Sequence, residues 1–162
     1  MEIRKAEIND LHTIMSWIHN EHECINWGGS KVRFPLKIEN LLIDIAYTKD
    51  NSYCLTNENK ILAFGQLIPK EDGFIHMARI IVTPSSRGLG YGKILCNNLL
   101  QITEQLGYQK VSLYASKSNI ISTTLYKKLG FNEVTEKSSG DRCYMTKLNK
   151  GFNADKAFHL AG

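Results

Sequence analysis

No carboxylate occurs anywhere between Asp72 and Glu104, although His76, Arg79, Arg87 and Lys93 all fall in that stretch. A phosphate approaching this segment meets no like charge. Other absences narrow the class of protein. No apolar run is long enough to span a bilayer, and the opening Met1-Glu-Ile-Arg-Lys lacks the apolar core of a signal peptide, so a cytoplasmic protein with no membrane partner is expected. The four cysteines, Cys24, Cys54, Cys96 and Cys143, form no C-x-x-C pair and have no histidine at zinc spacing, which argues for reduced packing residues and against a metal site. No cluster of Lys and Arg is interleaved with aromatics, and a net charge of +4 is too small to indicate nucleic acid. Internal repeats and low-complexity segments are missing as well.

What is present is an ordinary globular composition, 43% apolar and 22% charged over 162 residues, enough for one domain. The charge is unevenly placed. Residues 1–72 carry eight Lys and Arg against eleven Asp and Glu, net −3, and residues 73–162 carry twelve against five, net +7. An anionic cofactor favours the second half, and a cationic amine favours the first.

The organising stretch is Phe74 to Leu106. Phe74 to Val82 is apolar and β-branched enough for a buried strand, and Pro84 prevents its ladder from continuing. Arg87-Gly-Leu-Gly-Tyr-Gly92 follows, then Lys93 and a helical face of Leu95, Leu99, Ile102 and Leu106. Strand, glycine-rich turn and helix N-terminus make an anion site, because the glycines admit close approach and the first helical N–H groups have no intrahelical acceptor. The plainer reading is a tight turn alone. A Walker A loop fails, with Arg87 where its first glycine belongs and Ile94 where Ser or Thr belongs. A dinucleotide fingerprint fails too, with Lys93 at its third glycine and no acidic residue at Leu113 to Ser116.

Around this stretch the pattern predicts a strand at Ile3 to Ala6, then a helix capped at Asn9-Asp10 with Leu11, Ile14, Met15 and Ile18 inward. A long loop from His19 to Leu36 follows. Its Glu21, Glu23 and Trp27 are candidate acceptor-binding residues, and a mere connector is the alternative. A second helix runs from Ile38 to about Tyr47. Strands at Ser52 to Thr56 and Lys60 to Ile68 meet at Asn57-Glu-Asn59. Lys110 to Ala115 completes a βαβ unit with the organising strand, so those two strands are expected to be parallel. A helix from Ile120 to Leu129 stops at Gly130, and Phe131 to Lys137 pairs with Arg142 to Leu148. Residues 1–148 are expected to form the domain and 149–162 a tail, either a flexible end or an appended remnant.

Two pieces carry a family resemblance. One is Ile80-Ile-Val-Thr-Pro followed by Arg87-Gly-Leu-Gly-Tyr-Gly92, and the other is Asn119 followed by Leu125-Tyr-Lys-Lys-Leu-Gly-Phe131. Together they resemble the GNAT superfamily of N-acetyltransferases. The resemblance implies the GNAT acyl-CoA acyltransferase fold, of α/β (α+β mixed-sheet) class, with about seven strands, about four helices and a splayed parallel strand pair at the cofactor site. It implies acetyl-CoA as cosubstrate, held by Arg87, Gly88, Leu89, Gly90, Tyr91, Gly92 and Lys93, with no metal. Ile80, Ile81 and Val82 would offer backbone groups to pantetheine, the N–H of Ile80 would face the acetyl oxygen, and Asn119 would bond the pantetheine arm. Plain alternatives are a fully paired core strand for the three and a helix cap for Asn119.

By the same resemblance Tyr126 is the general acid toward the coenzyme A sulfur, and His76 stands where a Glu or His base is often found. Its even spacing sets it on the face of Ile80 and Val82. Packing roles are the alternatives for both. Some members use a Glu where this chain has Tyr114, and the missing carboxylate weakens a reading as a ribosomal-protein S18-type enzyme. The expected reaction is acetyl transfer to a primary amine of a small molecule by direct attack, in a monomer or homodimer. The alternatives are a protein lysine or N-terminal acetyltransferase and a non-catalytic acyl-CoA-binding module.

Overall fold

A computed structural model describes residues 1–149, so the expected tail 149–162, apart from Asn149, lies outside the described residues. The chain runs β1 (Glu2–Lys5), α1 (Ile8–Met15), α2 (Glu21–Gly28), α3 (Ile38–Asp44), β2 (Ser52–Asn57), β3 (Lys60–Pro69), β4 (Phe74–Val82), α4 (Tyr91–Gln105), β5 (Lys110–Ser116), α5 (Ile120–Lys128), β6 (Asn132–Glu133) and β7 (Arg142–Leu148). The seven strands follow the order β1-β2-β3-β4-β5-β7-β6. Two compact units make up the described residues, 1–67 with 78–96 and 68–77 with 97–149. No helix among the described residues is long and apolar enough to cross a membrane.

In the first unit β1, β2 and β3 form an antiparallel meander. Glu58 and Asn59 both take positive φ, 48° and 66°, as a two-residue hairpin turn of the primed kind demands. Leu11, Ile14, Trp17 and Ile18 from α1 and its C-terminal extension, Leu41 and Ile45 from α3, and Phe64 from β3 are buried in one apolar cluster, against which Ile81 packs. Each such side chain contributes roughly 1.5–3 kcal/mol through removal from water.

In the second unit the parallel ladder between β4 and β5 joins Phe74, Ile75 and His76 to Lys110, Val111 and Ser112 and ends there, while β5 pairs along its full length with β7. Leu99 and Leu100 of α4, Val111 and Leu113 of β5, Tyr126 of α5, Phe131 and Met145 are all buried. Asn149 is buried too, its side-chain NH2 donating to Thr103 Oγ1 (3.1 Å) and the Tyr108 carbonyl (2.7 Å).

Four expectations need correction. The first helix is capped at Glu7, not Asn9-Asp10; Asp10 sits in its first turn, accepts the Glu7 N–H (2.7 Å) and pairs with Arg4 (2.7 Å). The stretch His19 to Leu36 is not one loop, because Asn20 Oδ1 accepts the Glu23 N–H (2.8 Å) and starts α2, one of five helices among the described residues. The strand expected from Phe131 to Lys137 shrinks to Asn132–Glu133, since Thr135–Lys137 winds into a 3-10 turn tied by Lys137 N–H to the Val134 carbonyl. Leu106 is 60% exposed, because α4 ends at Gln105 and Gly107, at φ 83°, turns the chain away.

Candidate functional site

The glycine-rich turn lies in the first unit. β4 ends at Val82, and Thr83 N–H bonds the Leu62 carbonyl (2.9 Å). One turn of 3-10 helix, Pro84–Ser86, leads to Arg87, whose Nε–H folds back onto the Val82 carbonyl (3.2 Å). Gly88 and Gly90 have φ of 81° and 89°, conformations that L side chains avoid. A Cβ built on either would meet nothing within 4 Å, so these glycines are set by backbone shape and leave open space before them. α4 starts at Tyr91 with no acidic residue in its first turn. Its first N–H groups have no acceptor within the helix and carry the positive end of its dipole. Leu89 and Lys93 are exposed, and Tyr91 and Gly92 are half-buried. The whole run Arg87 to Lys93 therefore fits an anionic ligand such as a diphosphate by its donors, its cations and its space.

Three residues upstream of Val82 the strand is irregular. Arg79 takes φ 54°, a left-handed step inside β4. The pleat is thereby broken between His76 and Ile80, and the even-spacing argument that put His76 on the face of Ile80 and Val82 does not carry across it. Trp27 Nε1–H donates to the Arg79 carbonyl (2.9 Å), and Arg79 Nη1–H donates to Gln66 Oε1 (2.8 Å). Sequence reasoning passed over Arg79; nothing in an apolar strand signals a left-handed arginine.

The candidate acceptor residues on α2 have local duties. Glu23 accepts the His19 N–H (2.7 Å) and lies 3.4 Å from the His19 ring, which closes the cap at the start of the helix. Trp27 packs against Phe64 with ring centroids 6.3 Å apart, and Glu21 is exposed.

The second unit holds the proposed proton-transfer groups. His76 Nδ1 lies 2.8 Å from Ser112 Oγ, its partner in the parallel register, and its ring sits 5.4 Å from Tyr114. Tyr114 is in turn 5.0 Å from the Tyr144 ring and lies under the Arg142 guanidinium at 3.7 Å. Tyr126 is 8% exposed, edge-on to Phe131 at 6.0 Å. Asn119 caps α5, its Oδ1 accepting the Ser122 N–H (3.1 Å), so only its NH2 group remains to donate to a ligand.

The family described as acetyltransferase (GNAT) matches residues 11–131, three-quarters of the chain. The chain belongs to the GNAT acetyltransferase family. Among curated relatives, an uncharacterized N-acetyltransferase of Schizosaccharomyces pombe is 37% identical over 59 residues, 36% of this chain and 36% of the relative. An uncharacterized N-acetyltransferase of Pyropia yezoensis is 28% identical over 102 residues, 62% of this chain and 53% of the relative. Matches thus span roughly a third to just over half the length of the curated relatives, 36% to 55%.

Solved GNAT structures share the fold over nearly the whole chain. The PaiA N-acetyltransferase of Thermoplasma acidophilum, in complex with coenzyme A, has a TM-score of 0.71 at 21% identity, covering 91% of this chain and 98% of that one. The ribosomal-protein-S18-alanine N-acetyltransferase of Escherichia coli has a TM-score of 0.73 at 21% identity, covering 95% and 97%. The spermidine N-acetyltransferase of Vibrio cholerae, in complex with coenzyme A and spermine, has a TM-score of 0.72 at 20% identity, covering 93% and 96%. At these identities the likeness establishes the GNAT fold, mixed seven-stranded sheet and parallel β4–β5 pair included.

Proposed function

We propose that this chain is an acetyl-CoA-dependent N-acetyltransferase that acetylates a primary amine of a small molecule by direct attack, without a covalent enzyme intermediate. The observation that carries the proposal is the Arg87 to Lys93 turn: two left-handed glycines facing open space at the head of a helix whose first turn has no acid. That arrangement suits the diphosphate of coenzyme A, which several GNAT neighbours of similar fold hold. Bound there, acetyl-CoA supplies the thioester that makes the acetyl group transferable.

This chain's own residues do the rest. Backbone N–H groups of residues 88 to 93, with Arg87 and Lys93, bind and orient the anion. The N–H of Ile80, next to the left-handed Arg79, is the donor proposed for charge developing on the acetyl oxygen. Tyr126, through its phenol O–H, is proposed to return a proton to the departing sulfur. His76, whose Nδ1 lies 2.8 Å from Ser112 Oγ, is proposed to accept the amine's proton.

A small acceptor is favoured over an extended peptide by α2. Part of the segment expected as a long loop, Glu21–Gly28, is a capped helix fastened through Trp27 to β4. Tyr114, stacked under Arg142, offers no carboxylate for S18-type chemistry. The test is calorimetric titration with acetyl-CoA followed by a free-thiol assay across a panel of amines. Binding with amine-dependent thiol release is the expected result. Lack of binding overturns the reading, and binding without turnover on any amine leaves the non-catalytic acyl-CoA module in its place.

A further inference from the structure

Arg79 carries a charge that the first unit does not neutralise. Two other arginines of that unit, both exposed, have carboxylates: Arg4 holds Asp10 at 2.7 Å, and Arg33 holds Asp44 at 2.9 Å. Among the described residues no Asp or Glu pairs with Arg79; Gln66, a neutral amide, takes its Nη1–H at 2.8 Å. The amide cannot turn to do otherwise. Gln66 is fully buried, and its NH2 group already donates to the Ile45 carbonyl and Ser52 Oγ, both at 3.1 Å, so only Oε1 is left for the arginine. Among the described residues Arg79 Nε is sealed from solvent with no acceptor, whereas Nη2 is not among the sealed atoms and has no partner. Burial without a counter-charge pulls the guanidinium pKa down from its ordinary value.

The backbone is held as firmly as the side chain. A non-glycine residue at φ 54° inside a strand is uncommon, and Trp27 pins it through the Arg79 carbonyl at 2.9 Å. A cation half-buried without an anion is costly to a folded protein unless a ligand supplies the missing charge. One guanidinium with one open edge and no second cation among its partners suits a single carboxylate better than a phosphate.

We propose that Arg79 is a specificity-determining residue that receives a carboxylate of the acceptor at Nη2, so that the acceptors are amines also bearing a carboxylate, of the amino-acid class. This rests on the acetyltransferase reading, in which Ile80, the next residue, offers its N–H to the acetyl oxygen. A residue bonded to that donor is placed to orient the acceptor, whose amine must reach the same carbonyl.

The test compares matched acceptors with and without the carboxylate: L-lysine with cadaverine, L-tryptophan with tryptamine, and L-methionine with 3-(methylthio)propylamine. All are assayed by thiol release at saturating acetyl-CoA. In at least one pair the wild type should prefer the amino acid by about tenfold or more in kcat/KM, the scale of one charge-assisted hydrogen bond. Arg79→Gln should remove about ten- to a hundredfold from the amino acid, mainly through KM, and less than about threefold from the decarboxylated partner; Arg79→Lys should restore part of the preference. Equal losses on both members of a pair mark Arg79 as structural and overturn the proposal. So does a wild type that acetylates the decarboxylated amines as well as the amino acids, a comparison that needs no variant to fold. Those results leave the acetyltransferase reading standing. Thiol release from no pair and no other amine removes both.

Discussion

Replacing Gly88 or Gly90 with alanine separates the backbone demand of the turn from its proposed role in holding a diphosphate. Neither position has a steric reason to be glycine in the free protein, since a Cβ meets nothing within 4 Å at either. The cost to folding comes from φ alone, 81° and 89°, where an L residue loses roughly 1–2 kcal/mol. For a domain of this size that is a fall in Tm of about 2–8 °C. Binding should suffer more. A methyl group in the open space keeps the diphosphate from the N–H groups behind it, and each charge-assisted bond lost costs about 1.5–3 kcal/mol, or about ten- to a hundredfold in Kd.

Gly28→Ala supplies the control. Its Cβ would stand 2.4 Å from Val32 Cγ2 and 2.9 Å from Val32 Cβ, so the helix end must shift, at a cost of about 1–3 kcal/mol. That matches or exceeds the loss at the turn, yet Gly28 lies on α2, away in sequence from the cradle. Calorimetric titration with acetyl-CoA and thermal melts on all three variants should therefore show similar falls in Tm, with the affinity loss confined to Gly88→Ala and Gly90→Ala. Undiminished affinity in both turn variants would mean that no diphosphate sits against Gly88 and Gly90, and the proposed function would lose its main support.

Tyr126→Phe should lower kcat at least about tenfold while changing the acetyl-CoA Kd by less than about threefold, if the phenol returns a proton; equal losses in both would leave Tyr126 a packing residue against Phe131. His76→Ala should flatten the acidic limb of the kcat/KM profile, and an unchanged limb would exclude it as the base. Asp10→Asn should cost about 2 kcal/mol near neutral pH, because the Arg4 guanidinium beside Asp10 and the Glu7 N–H hold its carboxylate below the ordinary range. A depressed pKa stabilises the fold above the unfolded value of about 4 and is lost as pH falls through the folded value, so urea melts of wild type and variant should converge below about pH 4. Burial pushes the Cys54 and Cys96 thiols up to about 12, so neither should react with a disulfide reagent at pH 8 until the protein is unfolded.

What the amino-acid order reveals about this fold depends on how local the physics is. The hairpin at Glu58 and Asn59, the stop at Gly130 and the acid-free helix start after Gly90 are each settled by a few neighbouring residues, and all were legible. α2 was not, since its eight residues have little apolar periodicity and only Cys24 fully buried; a side-chain cap from Asn20 and the anchor of Trp27 to a strand 52 residues away make it a helix. Arg79 is hidden for a stronger reason. Its left-handed backbone is held by Trp27 and its side chain by Gln66, two residues drawn from distant elements, and neither contact leaves a trace in the apolar pattern of β4. The cradle proposed for the acyl donor is written in consecutive letters because backbone amides of one turn compose it, whereas the group proposed to choose the acceptor is assembled from three separate stretches of chain. An acceptor site built in this way can change with one substitution on any of the three, while the turn proposed to bind the donor tolerates little.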